Sequence, residues 1–272
     1  MSSPGELVSL GCDYITTTAR DVSSSLDLHE AAEALLIRER NQGNTLKPWG
    51  MSGFSGFRAG ECELGTRGRE VMCRLSGGLA FREWSKVWSI CDNVPRFDLQ
   101  ATVRWPRKPS SVIASCKRQA LRKFKEKGER LVVRGMWDAR GGYTLYLGHR
   151  QSICFGRIYD KWHKTPEDCF QGTVRYEVQF HNRLAKAVAY TVSHEPAPMR
   201  TMAGYVTQFF GSRGVSFTLP CESDLTYCSH RRRSDDRKCL EWLSVAVRPS
   251  VMRLIDNGKG DEVLKALGLV PE

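Results

Sequence analysis

Apolar and polar residues alternate without a break over residues 95–105, and that period of two predicts a β-strand. Phe97, Leu99, Ala101, Val103 and Trp105 form its apolar face, while Arg96, Asp98, Gln100, Thr102 and Arg104 form its polar face. Residues 173–180 alternate the same way, with Val174, Tyr176, Val178 and Phe180 opposite Arg175, Glu177 and Gln179. Strands are also expected at 7–18, where Asp13 shares a face with Gly11 and Ile15, and at 131–138, 143–148 and 153–161. An acid within the first strand suits an edge or solvent-facing position better than a role in catalysis. Helical spacing appears at Leu28, Ala31, Ala32 and Leu35, so residues 27–40 predict an amphipathic helix opened by Asp27 and Glu30 as a capping box. Phe81, Trp84, Val87, Trp88 and Cys91 make a second stripe, whose plain meaning is core. The glycine-dense stretch 49–78 predicts a hairpin with β-like runs at 57–65 and 70–76. Further helices are expected at 110–130, 184–192 and 199–210, with three short ones at 240–247, 250–257 and 261–267.

Charge narrows the partner. The 272 residues carry 41 Lys and Arg against 30 Asp and Glu, a net +11 that points to a polyanion, with nucleic acid ahead of an anionic membrane surface. Neither a long apolar run nor a signal-peptide pattern is present, so a cytoplasmic protein is expected. The ten cysteines form no Cys-x-x-Cys pair and fit reduced, buried thiols. Cys221, Cys228, His230 and Cys239 have a spacing that could hold zinc, although it matches no standard template. No phosphate-loop pattern occurs among the glycines, which argues against a nucleotide-driven motor. The helix at 110–130 carries Lys117, Arg118 and Lys123 and is either a phosphate-contacting surface or a solvated face. Arg231, Arg232 and Arg233 suggest a basic arm.

Candidate chemistry gathers between residues 142 and 180. On a strand, Arg157, Tyr159 and Lys161 would share one face, placing a phenol between two cations that would lower its pKa. The neighbouring strand offers the carboxylate of Glu177. A phenol among cations, with acids nearby to hold a metal, suits attack by a tyrosine on a phosphodiester. A solvated sheet face is the competing meaning of these polar positions, and it holds unless the strands adjoin.

Several stretches resemble, in order, the replication initiation factors of rolling-circle plasmids, phages and integrative elements, a group that includes nicking relaxases. They are Asp13-Tyr14-Ile15-Thr16, Arg96-Phe97-Asp98-Leu99-Gln100, residues 144–152, Arg157-Ile158-Tyr159-Asp160-Lys161, Arg175-Tyr176-Glu177-Val178, and Trp242-Leu243, Val247, Pro249 and Leu267-Gly268-Leu269. The resemblance implies an origin-nicking enzyme in a bacterial host, with Tyr159 as nucleophile forming a 5′-phosphotyrosine and a free 3′-hydroxyl. It implies Mg²⁺ or Mn²⁺ held by Asp98 and Glu177, although Gln100 and Ala101 stand where many relatives carry a second acid. The two-histidine metal motif of other rolling-circle initiators is absent, which leaves His149 a weak ligand candidate. Arg150 and Ser152 are expected to contact phosphate. Implied partners are single-stranded or supercoiled origin DNA, a host helicase and DNA polymerase, and a second copy in a homodimer; no membrane is implied. The alternative is a non-catalytic DNA-binding regulator with the same fold. Pattern and resemblance agree on an α+β protein: residues 1–211 form an antiparallel β-sheet catalytic domain with flanking helices, and 212–272 a basic arm and small helical appendage.

Overall fold

The computed structural model describes residues 5–127, 133–137 and 142–217, together with 219, 258, 259 and 262. Arg231, Arg232, Arg233, the group Cys221, Cys228, His230 and Cys239, and the expected C-terminal helices lie outside the described residues. By compactness the chain divides into Met1–Thr226 and Tyr227–Glu272, and the elements below belong to the first unit.

Strand β1 (Glu6–Ala19) leads into helix α1 (Val22–Asn41). A meander of β2 (Lys47–Met51), β3 (Phe54–Ala59), β4 (Cys62–Arg67) and β5 (Glu70–Ser76) follows, and runs directly into α2 (Gly77–Ser89). Next come β6 (Asn93–Arg104), α3 (Pro109–Lys127), β7 (Val133–Trp137), β8 (Tyr143–Leu147) and β9 (Cys154–Asp160). The single turn α4 (Lys161–Lys164), a 3₁₀ turn at Asp168–Phe170, β10 (Thr173–His181), α5 (Asn182–His194) and α6 (Pro198–Ser212) complete the described order. Ten strands form one sheet in the order β2-β3-β4-β5-β1-β6-β10-β9-β8-β7, with antiparallel pairing between every pair of neighbours. This is the expected α+β architecture.

Helices cover one face of the sheet. Phe97, Leu99, Ala101 and Val103 of β6 are fully buried on that side, as are Val174, Tyr176 and Val178 of β10. Trp84 of α2 packs on Phe97 with ring centroids 5.4 Å apart, Tyr205 of α6 meets Phe180 at 5.9 Å, and the Cys116 thiol of α3 lies 4.0 Å from the Tyr176 hydroxyl. Burying each large apolar side chain contributes roughly 1.5–3 kcal/mol, so this layer holds the sheet flat against its helices and leaves the opposite face to carry polar chemistry.

Three expectations change. Helix α1 begins at Val22 rather than Asp27: Asp21 is the cap, its carboxylate accepting from the Ser24 amide at 3.3 Å, and Ser23–Ser25 hid the first turn because they break the apolar period. The hairpin expected in 49–78 is a four-strand meander, because the run 57–65 folds back on itself at Gly60 to make β3 and β4. Of the stripe on α2, Trp84 and Val87 are buried, whereas Phe81 is 44% exposed and Cys91 lies beyond the helix end.

Candidate active site on the open face of the sheet

Register brings the polar residues together. Residues directly opposite in an antiparallel pair share a face, so β6, β10, β9 and β8 stack their polar positions in rows. One row runs Gln100, Glu177, Arg157, Tyr146, and the next runs Thr102, Arg175, Tyr159, Thr144. β1 joins through a bulge: pairing to β6 skips from Cys12/Leu99 to Tyr14/Asp98, leaving Asp13 as the extra residue. Asp13 therefore turns to the polar face along with Tyr14, where its Oδ1 accepts from Arg175 Nη1 at 2.7 Å. The bulge ends the period-two relation that would have set Asp13 beside Ile15, and Ile15 is fully buried on the helical side.

These polar side chains are buried, and among the described residues they satisfy one another's charges and hydrogen bonds. Asp98 is 0% exposed; Arg96 binds it through Nε at 2.9 Å and Nη2 at 2.5 Å, and Gln179 Nε2 donates to both its oxygens. Arg157 pairs with Glu177 Oε1, while Tyr159 donates its hydroxyl to Glu177 Oε2 at 3.0 Å. Arg175 Nε donates to Thr102 at 2.9 Å, and Thr102 passes a hydrogen bond to Gln100 at 2.8 Å. The solvated-face reading of the β6 alternation is excluded by these burials.

Burial and charge set the proton affinities. Burial, with Glu177 adding, pushes the Tyr159 phenol well above its ordinary value, so Arg157 and its neighbours do not depress it as expected from the sequence. Burial opposes ionisation of Glu177 too, yet Arg157, Arg175 and the Tyr159 hydroxyl outweigh it and hold the carboxyl below its ordinary range. Asp98 rises to about 7 through burial, helped by Glu177 and opposed by Arg96. Burial and nearby Arg175 make the Lys161 ammonium more acidic than usual.

Other expected positions shift. Strand β9 ends at Asp160, whose side chain caps α4 by accepting from the His163 amide, so Lys161 leaves the strand and its Nζ donates to Thr165 at 3.0 Å. Lys164 takes the place over the phenol, its Nζ 4.5 Å from the Tyr159 ring centre. Lys117 and Arg118 are exposed on α3, on the helical side of the sheet and so opposite Tyr159; Lys123 ties α3 to the end of α6 through Gly211 O at 2.9 Å. Arg150 and Ser152 lie in the turn before β9, with Arg150 5.4 Å from the Tyr146 ring and the Ser152 amide donating to His149 O. Arg175, Arg96, Tyr14 and Lys164 were not singled out in the sequence. For the two arginines the signal was their place on alternating polar faces, whereas Tyr14 depended on the bulge.

Asp98 and Glu177 offer the oxygen donors a hard cation takes. Their oxygens are nonetheless engaged by Arg96, Gln179, Arg157 and Tyr159, and five cationic side chains surround three carboxylates. Among the described residues no three His, Cys, Asp or Glu side chains group to hold a metal ion, and in this arrangement the pair does not fit a resident Mg²⁺ or Mn²⁺.

The fold is similar to that of one solved structure, a rolling circle replication initiator protein from Geobacillus stearothermophilus, which superposes with a TM-score of 0.53 at 16% identity, covering 80% of this chain and 90% of that one. No family model matches the sequence, and no curated protein does. Among the described residues no helix is long and apolar enough to cross a membrane.

Proposed function

We propose that this protein initiates rolling-circle replication by binding single-stranded or supercoiled origin DNA and nicking one strand through Tyr159. The observation that carries the reading is the Tyr159 hydroxyl donating to Glu177 within a ring of arginines and lysines, on an initiator fold. As the phenol oxygen attacks phosphorus, its proton passes to Glu177 Oε2. The bond from phosphorus to the 3′-oxygen breaks, and that oxygen takes a proton from the Lys161 ammonium, whose acidity burial has raised. The products are a 5′-phosphotyrosine, which keeps the bond energy for rejoining, and a free 3′-hydroxyl for a host polymerase.

Glu177 is a weak base while Arg157 holds it. An arriving phosphate competes for Arg157, and when the guanidinium turns to phosphate the main cause of the low Glu177 pKa is withdrawn. The substrate thereby raises the basicity of the group that must deprotonate its attacker. Arg157, Arg175 and Lys164 then offset the charge of the five-coordinate phosphorus.

The non-catalytic regulator reading draws on one observation: Tyr159 is 5% exposed and its phenol is strongly protonated. One experiment separates the two. Incubated with single-stranded DNA from its own element's origin and Mg²⁺ or Mn²⁺, the protein is expected to form a denaturation-resistant adduct, and Tyr159→Phe, which keeps the ring and loses the oxygen, is expected to form none. An adduct of wild-type yield on the variant would move the nucleophile elsewhere; no adduct with any origin strand would leave the regulator.

A further inference from the structure

At the β7–β8–β9 end of the face that carries Tyr159 lies a concavity of about 400 Å³. We propose that it holds one unpaired nucleotide of the bound strand, its base stacked on Tyr146 and its phosphates met by Arg134 and Arg150. The inference rests on the single-stranded DNA reading above and adds where a base is seated.

Size, lining and position point to the same ligand. The volume falls in the range of small-ligand sites. Its wall combines the aromatic rings of Tyr146 and Phe155, the cations Arg134 and Arg150, and the polar side chains of His149 and Gln151, and among the described residues it contains no carboxylate. Tyr146 and Phe155 are near-parallel, with ring centroids 6.2 Å and planes 10° apart; Phe155 is buried, which leaves the half-exposed tyrosine as the platform. The Arg150 guanidinium lies over the Tyr146 ring, 5.4 Å from its centre, so the ring face already attracts a planar cation, and a base taking that face would turn Arg150 toward its phosphate. His149 Nδ1 accepts from the Gln151 amide at 3.2 Å, which assigns the proton of a neutral ring to Nε2 and makes that atom a donor to a base edge. Gly148, at φ 96°, allows the tight turn that brings His149 and Arg150 back over the strand.

The register links this pocket to the proposed chemistry. Tyr146 is directly opposite Arg157, which pairs with the Glu177 that accepts from Tyr159. Phe155 lies four residues before Tyr159 on β9, roughly 13 Å along the strand. A single strand with its scissile phosphate at Tyr159 would thus place a base within a few nucleotides' reach of Tyr146. Arg134, directly opposite Tyr146 on β7, extends the same row.

The test compares two labelled probes by fluorescence anisotropy: an oligothymidylate of about twelve nucleotides, and an abasic oligomer with the same phosphates. Tyr146→Ala is expected to weaken oligothymidylate binding about 5- to 100-fold while leaving the abasic probe unchanged, and Tyr146→Trp to retain both. Equal losses on both probes, or none on either, would overturn the stacking site. Excess thymidine monophosphate is expected not to compete; Tyr146-dependent competition would make this a free-nucleotide site instead. Because Ala also removes packing against Phe155, the wild-type protein supplies an independent measurement. Photocrosslinking to a 5-iododeoxyuridine oligomer is expected to label the peptide that contains Tyr146, and labelling confined to other peptides overturns the proposal. A wild-type protein that binds neither probe sinks the single-stranded DNA reading itself, whereas binding of both with no Tyr146 dependence sinks the pocket alone.

Discussion

Asp98 shows how far a single carboxylate can be driven by its surroundings. Fully buried and beside Glu177, it rises from an ordinary 3.8 to about 7 despite two hydrogen bonds from Arg96. Between those values the folded chain holds a proton that the unfolded chain has lost, so this residue's contribution to stability falls as pH rises from about 4 through 7. Asp98→Asn removes the titration, and urea unfolding at about pH 5 and about pH 8 is expected to show a smaller loss in the variant than in the wild type. Equal losses would mean that the burial cost is not borne by Asp98. The same saturated pairing bears on metal. With Arg96 and Arg157 occupying the carboxylates, the DNA-free protein is expected to leave the electron paramagnetic resonance signal of added Mn²⁺ undiminished; tight binding of one Mn²⁺ per chain without DNA would show that the arginines yield readily.

At the scale of elements, the bulge in β1 and the early end of β9 do most to shape the site. The bulge turns both Asp13 and Tyr14 to the open face, and Asp13 anchors Arg175 beside Tyr159. The end of β9 at Asp160 lets α4 swing Lys161 off the strand and set Lys164 over the phenol. Helix α3 is basic but packs on the helical side of the sheet, opposite Tyr159. Charge reversal of Lys117 and Arg118 is therefore expected to leave binding of a short single strand within about twofold, while weakening binding of long origin DNA irrespective of sequence, since phosphate contacts carry no sequence information. Loss of short-strand affinity, measured by the same anisotropy titration, would place α3 at the proposed nicking site.

For the whole molecule, a net +11 on a sheet with one open, arginine-rich face makes association with DNA an exchange of counterions for protein cations. Affinity is expected to fall with a log–log salt slope of at least about −4, read from anisotropy across a salt series. A slope near zero would remove nucleic acid as the partner. Among the described residues the helical core packs on one face of the ten-stranded sheet, and the proposed DNA contact falls on the other.

Alternation along β6 and β10 was enough to specify their strands, their apolar faces and the polar positions Asp98, Arg175 and Glu177, because a period of two survives any tertiary arrangement. Tyr159 was legible for the same reason, flanked by Arg157 on one strand face. The sequence could not decide whether those faces adjoin, since pairing joins residues such as Asp13 and Arg175 that lie far apart in the chain. Nor could it show the bulge or the end of β9, which depend on backbone hydrogen bonds made across strands and at a helix cap rather than on residue type. The proton affinities followed from burial, a property of the assembled face. A phenol among cations read from the sequence as an activated nucleophile; the packed sheet makes it a protonated donor to Glu177, because desolvation and one carboxylate outweigh the arginines around it.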